Sequence, residues 1–371
     1  MILNKANKIL VIIFLLINGI VLYNAVFHTP WIGYDGGPHV RNIVILSEFR
    51  LPSKEETYMF YMPPLTYFLP AMLYATGRFS LFIIFKIAQL FNVACSIGLT
   101  FYLLKICAII RPNNTPFKIL SLSFLGMLPV YYKTFAFIRG EPILSFLTVF
   151  AIYKTLIIFV KKDLRPYNII VLGITFGLMI LTRQTAFFTF PAIFIFVAIS
   201  IFKDRQKWKS FFVATVCAFL IAFIVGGWFY MHLRKTSGKV VAYNVPPKKG
   251  FSFSNQPLKF YLGLGNGKLF ADPIRKAFPN QFFPIFYSEV WGDYLCYFNV
   301  YGKIVKDGKF IEGLALEKVL SKNPSIDLVE TNRYTIGRYL GRVNFVSLFP
   351  SGIIWLGLVV GVIYLAKTII D

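Results

Sequence analysis

The sequence predicts an all-α polytopic membrane protein with about eight transmembrane helices. Of its 371 residues, 57% are hydrophobic and only 15% are charged, whereas a soluble domain carries about 25% charged residues. The mean hydropathy is +0.64. Apolar runs of about 20 residues, the length that crosses a bilayer, recur along the chain. This composition excludes a soluble enzyme, a disordered chain and a disulfide scaffold.

Eight apolar runs are candidate spans. The first follows Lys5 and Lys8, is long for a signal-peptide core and precedes no small-residue cleavage site, so it is kept as a span. The eight runs are Ile9–Phe27, Ile83–Ile106, Phe117–Phe137, Ile143–Val160, Tyr167–Leu181, Ala186–Phe202, Phe211–Leu233 and Leu348–Ala366. The run Pro64–Thr76 is too short to cross, and it predicts a re-entrant or interface helix.

The charge of the chain predicts its orientation. Lys and Arg number 39 against 16 acidic residues, a net charge of +23. The sequence has no soluble basic domain that would bind nucleic acid, so we expect no nucleic-acid partner. Cations collect in cytoplasmic loops of membrane proteins. With the N-terminus in the cytoplasm, loops rich in Lys and Arg on the inner side alternate with short loops poor in them on the outer side. The inner loops then hold Lys105, Arg111, Lys118, Lys161, Lys162, Arg165, Lys203, Arg205, Lys207 and Lys209, and the short outer loops hold only Lys133, Arg139 and Arg183.

This topology divides the chain into three parts. Residues 1–233 form a seven-span membrane module whose first outer loop is 28–82. Residues 234–347 form an extracytoplasmic segment with 17 basic and 8 acidic residues, and prolines break it into short pieces. We expect this segment to lie on the outer membrane face, with a helix near Leu314–Leu320. Residues 348–371 hold the last transmembrane helix.

Cysteines and histidines give no metal signature. The four cysteines have no metal-ligand spacing, and the three histidines are dispersed, so neither a zinc site nor a disulfide is expected. The sequence implies no cofactor with certainty, and a divalent metal stays open.

Carboxylates are scarce, so each can be examined. Eight lie outside the late segment, and five of them face outward: Asp35, Glu48, Glu55, Glu56 and Glu141. Asp35 stands in Gly33–Arg41, just before a predicted amphipathic helix that has Val40, Ile43 and Val44 on one side. It suits a helix N-cap and equally a general base at the membrane surface, and the two roles are compatible.

Several short motifs follow in order on the outer side of the predicted topology. They are Asp35 with His39 four residues on, Leu51-Pro52, Pro63-Pro64-Leu65-Thr66-Tyr67, Arg139-Gly140-Glu141-Pro142 and Thr182-Arg183-Gln184-Thr185. Together they resemble the GT-C superfamily of polyprenyl-phosphate-sugar glycosyltransferases, which includes protein mannosyltransferases and lipid A aminoarabinose transferases. The resemblance covers roughly residues 1–233. It implies a GT-C-like bundle, a lipid-phosphate sugar donor, and a lipid, glycan or protein acceptor. Many relatives carry Asp-Glu where this chain has Asp35 followed by Gly36.

The chemistry of such a transfer needs few groups. A lipid phosphate leaves without protonation, so a single base suffices, unlike glycoside hydrolysis with its two carboxylates. Arginine can bind the departing phosphate bidentately, and the anomeric configuration inverts. We assign Asp35 as the base, and Glu141 as a second carboxylate that orients the acceptor or helps to hold a cation. We expect Arg183 and Arg139 to bind the phosphate, and His39 to orient the base or contact phosphate.

Each assignment has a structural alternative. Arg139 and Glu141 would pair at the surface, worth about 0–1 kcal/mol, and Arg183 would extend to lipid headgroups. In the late segment, Trp291 and Asp293 suit substrate binding by sugar stacking and equally suit an interfacial aromatic belt.

A membrane transporter or flippase of lipid-linked or small solutes is the alternative function, and a noncatalytic membrane subunit is a third. The sequence has no internal repeat of the kind many transporters carry, and no nucleotide-binding motif. We expect a bacterial plasma membrane, or endoplasmic reticulum if the protein is eukaryotic.

Overall fold

The structure is a computed structural model that describes residues 5–28, 30, 36–241, 255–275, 277–278, 281–295, 304–306, 309–311 and 327–370. Asp35 and the helix predicted near Leu314–Leu320 lie outside these residues. Contacts divide the chain into two compact units. The first takes in the described residues from 5 to 241 apart from 128–130, and the second takes in those from 255 onward together with 128–130.

The first unit is built of helices. They are α1 (Lys5–Phe27), α2 (Gly36–Ser47), α3 (Leu65–Ala75), α4 (Leu81–Ile110), α5 (Thr115–Gly126), α6 (Pro129–Ala136), α7 (Gly140–Phe159), α8 (Pro166–Thr182), α9 (Phe190–Lys203), α10 (Trp208–Ala222) and α11 (Trp228–Ser237). A 3₁₀ turn, Gln184–Phe188, joins α8 to α9, and a π-helical turn, Phe223–Gly227, joins α10 to α11. The predicted amphipathic helix after Asp35 is α2, whose Ile43 is fully buried while Arg41 is exposed.

The second unit has shorter elements before its long helices. They are α12 (Leu258–Leu262), a 3₁₀ turn (Gly267–Phe270), α13 (Phe282–Trp291), β1 (Ile304–Lys306), β2 (Lys309–Ile311), α14 (Asp327–Val346) and α15 (Leu348–Ile370). The two strands pair as an antiparallel hairpin.

The long apolar helices confirm a helical, multi-pass architecture. Six stretches among the described residues are long and apolar enough to cross a membrane. They are Ala6–Phe27, Leu81–Ile110, Gly140–Phe159, Gln184–Lys203, Trp208–Ser237 and Ile336–Tyr364. A seventh arises if the bent pair α5 and α6 is one span, and α3 and α8 are shorter apolar helices. The predicted count of about eight and the interface position of α3 are not confirmed.

The bend between α5 and α6 has a cause in the sequence. The two helices meet at 62°, and α6 begins at Pro129, which has no N–H to continue the helix. The carbonyl oxygen of Gly126 accepts a hydrogen bond of 2.7 Å from the Tyr132 hydroxyl. A side chain therefore satisfies a backbone group that the bend leaves open.

Polar side chains along α4 bind neighbouring helices. Asn92 donates to the carbonyl oxygens of Phe135 and Phe137, at 3.2 and 2.7 Å. Gln89 donates to the Ala136 carbonyl at 2.9 Å, and Ser96 donates to Asn18 on α1 at 2.8 Å. These polar side chains of α4 therefore serve interhelical hydrogen bonding.

Small residues let α8 approach α10 closely. A Cβ added to Gly173 would lie 2.7 Å from the Ala218 carbonyl oxygen. One added to Gly226, in the π-helical turn, would lie 2.6 Å from the Gly177 carbonyl oxygen. These oxygens belong to helix backbones and cannot move aside cheaply, so this crossing depends on glycine.

Replacing Gly173 with Ala is expected to destabilise the protein by about 1–3 kcal/mol, the usual cost of overpacking. The matched control is Gly19→Ala on α1, where an added Cβ has no neighbour within 4 Å. That change is expected to stabilise α1 by about 0.5–1 kcal/mol. Thermal unfolding of the purified chain in detergent measures both, and equal effects of the two variants would contradict this account of the crossing.

Candidate active site

The candidate site lies where α7 begins and α8 ends. Arg139 is the N-cap residue of α7 and Arg183 is the C-cap residue of α8, and both have extended backbone conformations. The two helices pack against each other along their lengths. Two motifs 44 positions apart in the sequence are thereby brought together.

A salt bridge joins the two motifs. Arg183 Nη1 donates to Glu141 Oε1 at 2.5 Å, and their side chains are 19% and 30% exposed. The other carboxylate oxygen, Glu141 Oε2, is buried and accepts no hydrogen bond from the described residues. Glu141 thus holds one N–H group of the Arg183 guanidinium with Oε1, while its Oε2 can accept a further hydrogen bond.

Glycine at position 140 makes room for this pair. A Cβ added to Gly140 would lie 2.7 Å from Arg183 Cγ and 2.7 Å from Thr66 Oγ1. The Thr66 hydroxyl donates to the Thr182 carbonyl at 3.2 Å, and Gln184 Nε2 donates to the Tyr61 carbonyl at 2.8 Å. The residues on both sides of Arg183 are therefore anchored to α3 and the segment before it.

An apolar cavity of about 380 Å³ lies between α3, α4 and α7. Its wall is formed by Leu69, Ala88, Phe91, Ile143, Leu147 and other largely apolar side chains. Of the described residues that line it, Arg139 is the one with a charged side chain, and Thr66 lies on the same wall. The Arg139 guanidinium lies 4.1 Å from the centroid of the Phe137 ring. The cavity is therefore largely apolar, with one cationic side chain among the described residues of its wall.

His39 lies on α2 and contacts α3. His39 Nδ1 is 2.7 Å from the Tyr67 hydroxyl oxygen, and the two residues are 5% and 3% exposed. Burial raises the pKa of Tyr67 well above its usual range, and the charges of Arg183 and Glu141 also act on it. The buried His39–Tyr67 pair thus belongs to the same polar region as the salt bridge.

The carboxylates between α2 and α3, in the predicted first outer loop, are paired or exposed. Arg50 binds Glu48 at 2.8 Å and Glu56 at 2.7 Å. The hydrogen bonds from Arg50 lower the pKa of Glu56 to about 2. A carboxylate so strongly stabilised as an anion is a poor general base near neutral pH.

Trp291 and Asp293 belong to the second unit, and both are buried, with 4% and 1% of their surface exposed. Trp291 is the last residue of α13, and Asn344 on α14 binds nearby groups of this unit, the Leu269 carbonyl at 3.0 Å and Ser288 at 3.2 Å. Stacking of a sugar on Trp291 would need its ring to be uncovered, so the proposed contact remains a prediction.

The structure thus brings together Arg139, Glu141 and Arg183. His39 contacts Tyr67, on which the charges of Arg183 and Glu141 act. Sequence reasoning missed the anchoring role of Thr66, and it gave Tyr67 only as part of a motif. Among the described residues, no group of three or more His, Cys, Asp or Glu side chains is arranged to hold a metal.

Comparisons of this chain with known protein families, with characterised proteins and with solved structures give no match.

Proposed function

We propose that the protein is an integral-membrane glycosyltransferase that moves a sugar from a polyprenyl-phosphate donor to an acceptor on the extracytoplasmic side. In this reaction Asp35 takes the proton of the acceptor hydroxyl. The acceptor oxygen then forms a bond to the anomeric carbon with inversion, and the bond from that carbon to the phosphate oxygen breaks. The leaving lipid phosphate carries the electron pair away as an anion.

The observation that carries this proposal is the apolar cavity that Arg139 lines. An apolar wall suits an isoprenoid chain, and a guanidinium suits its phosphate. Arg139 is also the N-cap of α7, so a phosphate there would meet the positive end of a helix dipole. A ligand with one apolar tail and one anionic head matches all three features.

The salt bridge supports a division of roles. Arg183 has further N–H groups beside the one given to Glu141, and these suit the departing phosphate. Glu141 Oε2 suits a hydroxyl of the acceptor, or a cation if a divalent metal takes part. The partly buried salt bridge with Glu141 argues against an Arg183 side chain that serves only to reach lipid headgroups.

The proposal also includes the number of membrane spans and their orientation. The six long apolar helices, the bent pair α5 and α6, and α8 together give eight spans, with α3 at the interface. With the N-terminus in the cytoplasm, the ends of α7 and α8 that carry Arg139 and Arg183 face outward. A bacterial plasma membrane agrees with this topology, as does endoplasmic reticulum.

Filling the cavity tests the proposal. Ala88→Trp is expected to obstruct the isoprenoid chain and to raise the KM for the lipid donor by at least tenfold. The reason is that the donor chain would lose more than about 1.4 kcal/mol of apolar burial in the cavity. The assay measures transfer of radiolabelled sugar from polyprenyl-phosphate sugars in proteoliposomes.

The matched control is Ala192→Trp, in a second apolar cavity of about 360 Å³ between α7 and α9. It is expected to leave the KM unchanged. Transfer that is equally fast in both variants would exclude the cavity beside Arg139 as the donor site. Solute uptake without sugar transfer would favour the transporter alternative.

A further inference from the structure

The hydrogen bond between His39 and Tyr67 has a direction that decides what His39 can do. The two rings are buried, with centroids 5.7 Å apart, and Nδ1 lies 2.7 Å from the hydroxyl oxygen. Either the hydroxyl donates its proton to Nδ1, or a protonated Nδ1 donates to the hydroxyl. A neutral imidazole has one donor and one acceptor nitrogen, so this choice also fixes the state of Nε2.

The Tyr67 hydroxyl has a proton to donate. Burial keeps this hydroxyl protonated, since it raises the pKa of that group.

Counting acceptors gives the direction of the bond. Asn42 donates to the Met59 carbonyl at 3.2 Å, which fixes the orientation of its amide. Its Oδ1 accepts no hydrogen bond from the described residues, so Tyr67 does not donate to Asn42. Among the described residues, His39 Nδ1 is then the acceptor left for a buried hydroxyl proton, which is costly to leave unpaired.

We propose that Tyr67 fixes His39 in the neutral tautomer that carries its proton on Nε2, so that His39 acts as a hydrogen-bond donor and not as a base. Tyr67 is then a positioning residue that acts through His39. The consequence for sugar transfer rests on the proposed function: His39 would donate to an anionic oxygen such as the donor phosphate, and Asp35 alone would be the base.

Nitrogen NMR tests the tautomer without any assay of activity. The full chain, labelled with ¹⁵N-histidine in lipid nanodiscs, has only three imidazoles, and His39→Gln identifies the signals of His39. At a pH of about 9, above the usual imidazole pKa, we expect Nε2 to be protonated and Nδ1 to be an acceptor. Tyr67→Phe should release the tautomer into a mixture, and Tyr74→Phe on the same helix should not.

A protonated Nδ1 in the wild-type spectrum would overturn the proposal, even if Tyr67→Phe fails to fold. Preservation of the wild-type His39 signals in a folded Tyr67→Phe protein would show that Tyr67 does not fix the tautomer.

Transfer assays test the consequence separately. A glutamine amide can replace the Nε2–H donor but cannot act as a base, so His39→Gln should lower the transfer rate less than His39→Leu does. His39→Leu should lose about 10- to 150-fold, as expected for one hydrogen bond to a charged group. Equal losses in both variants would contradict the donor role. Absence of transfer by the wild-type chain would contradict the proposed function and leave the NMR result standing.

Discussion

Asp35→Asn is expected to lower sugar transfer by about 10²–10⁴-fold, the usual contribution of a general base. The asparagine side chain is close to isosteric and is also a preferred N-cap, so a capping role before α2 would survive the change. The loss should fall on kcat, because the base acts on the acceptor proton and not on donor binding. Initial rates with a polyprenyl-phosphate sugar in proteoliposomes measure it.

Glu55→Gln is the matched control, since it removes a carboxylate from the same loop. The Glu55 side chain is 68% exposed and lies 3.8 Å from Lys54, so no effect on transfer is expected. Wild-type transfer by a folded Asp35→Asn protein would refute Asp35 as the base. A noncatalytic subunit would tolerate the change, and a transporter would reveal itself by solute uptake.

The transmembrane architecture is largely readable from the sequence, because long apolar runs have few other uses. The predicted run Ile83–Ile106 lies within α4, which spans Leu81–Ile110, and Pro64–Thr76 contains α3. The bend between α5 and α6 was missed, although Pro129 inside the predicted run Phe117–Phe137 is its signal. Hydropathy averages over a window, and it does not register a single missing N–H group.

The candidate site was harder to predict from the sequence than the long helices, because its geometry depends on which helices contact each other. The sequence paired Glu141 with Arg139, its near neighbour, as the structural alternative. In the structure Glu141 binds Arg183, across the contact between α7 and α8. The cavity beside Arg139 has no local signal at all, since apolar residues that line a cavity and apolar residues that fill a core look alike in sequence.

Arg183→Glu is expected to reduce kcat/KM for the lipid donor by about 30- to 4,000-fold, equivalent to about 2–5 kcal/mol for one member of a hydrogen-bonded charge pair that is partly buried. Two causes contribute: the phosphate loses a guanidinium, and Glu141 faces a like charge. Exchanging the two residues separates these causes. In the double variant Arg183→Glu with Glu141→Arg, opposite charges again face each other and the net charge of the chain is unchanged.

We expect the double variant to regain most of the thermal stability that Arg183→Glu loses, while donor transfer stays low. The guanidinium would then project from α7 and no longer from the end of α8, and bidentate binding of a phosphate tolerates little displacement. Gly140 leaves room for the Arg183 side chain, whose Cγ would lie 2.7 Å from an added Cβ. Recovery of both stability and transfer would mean that the pair only holds α7 to α8. Recovery of stability alone would assign the phosphate to Arg183.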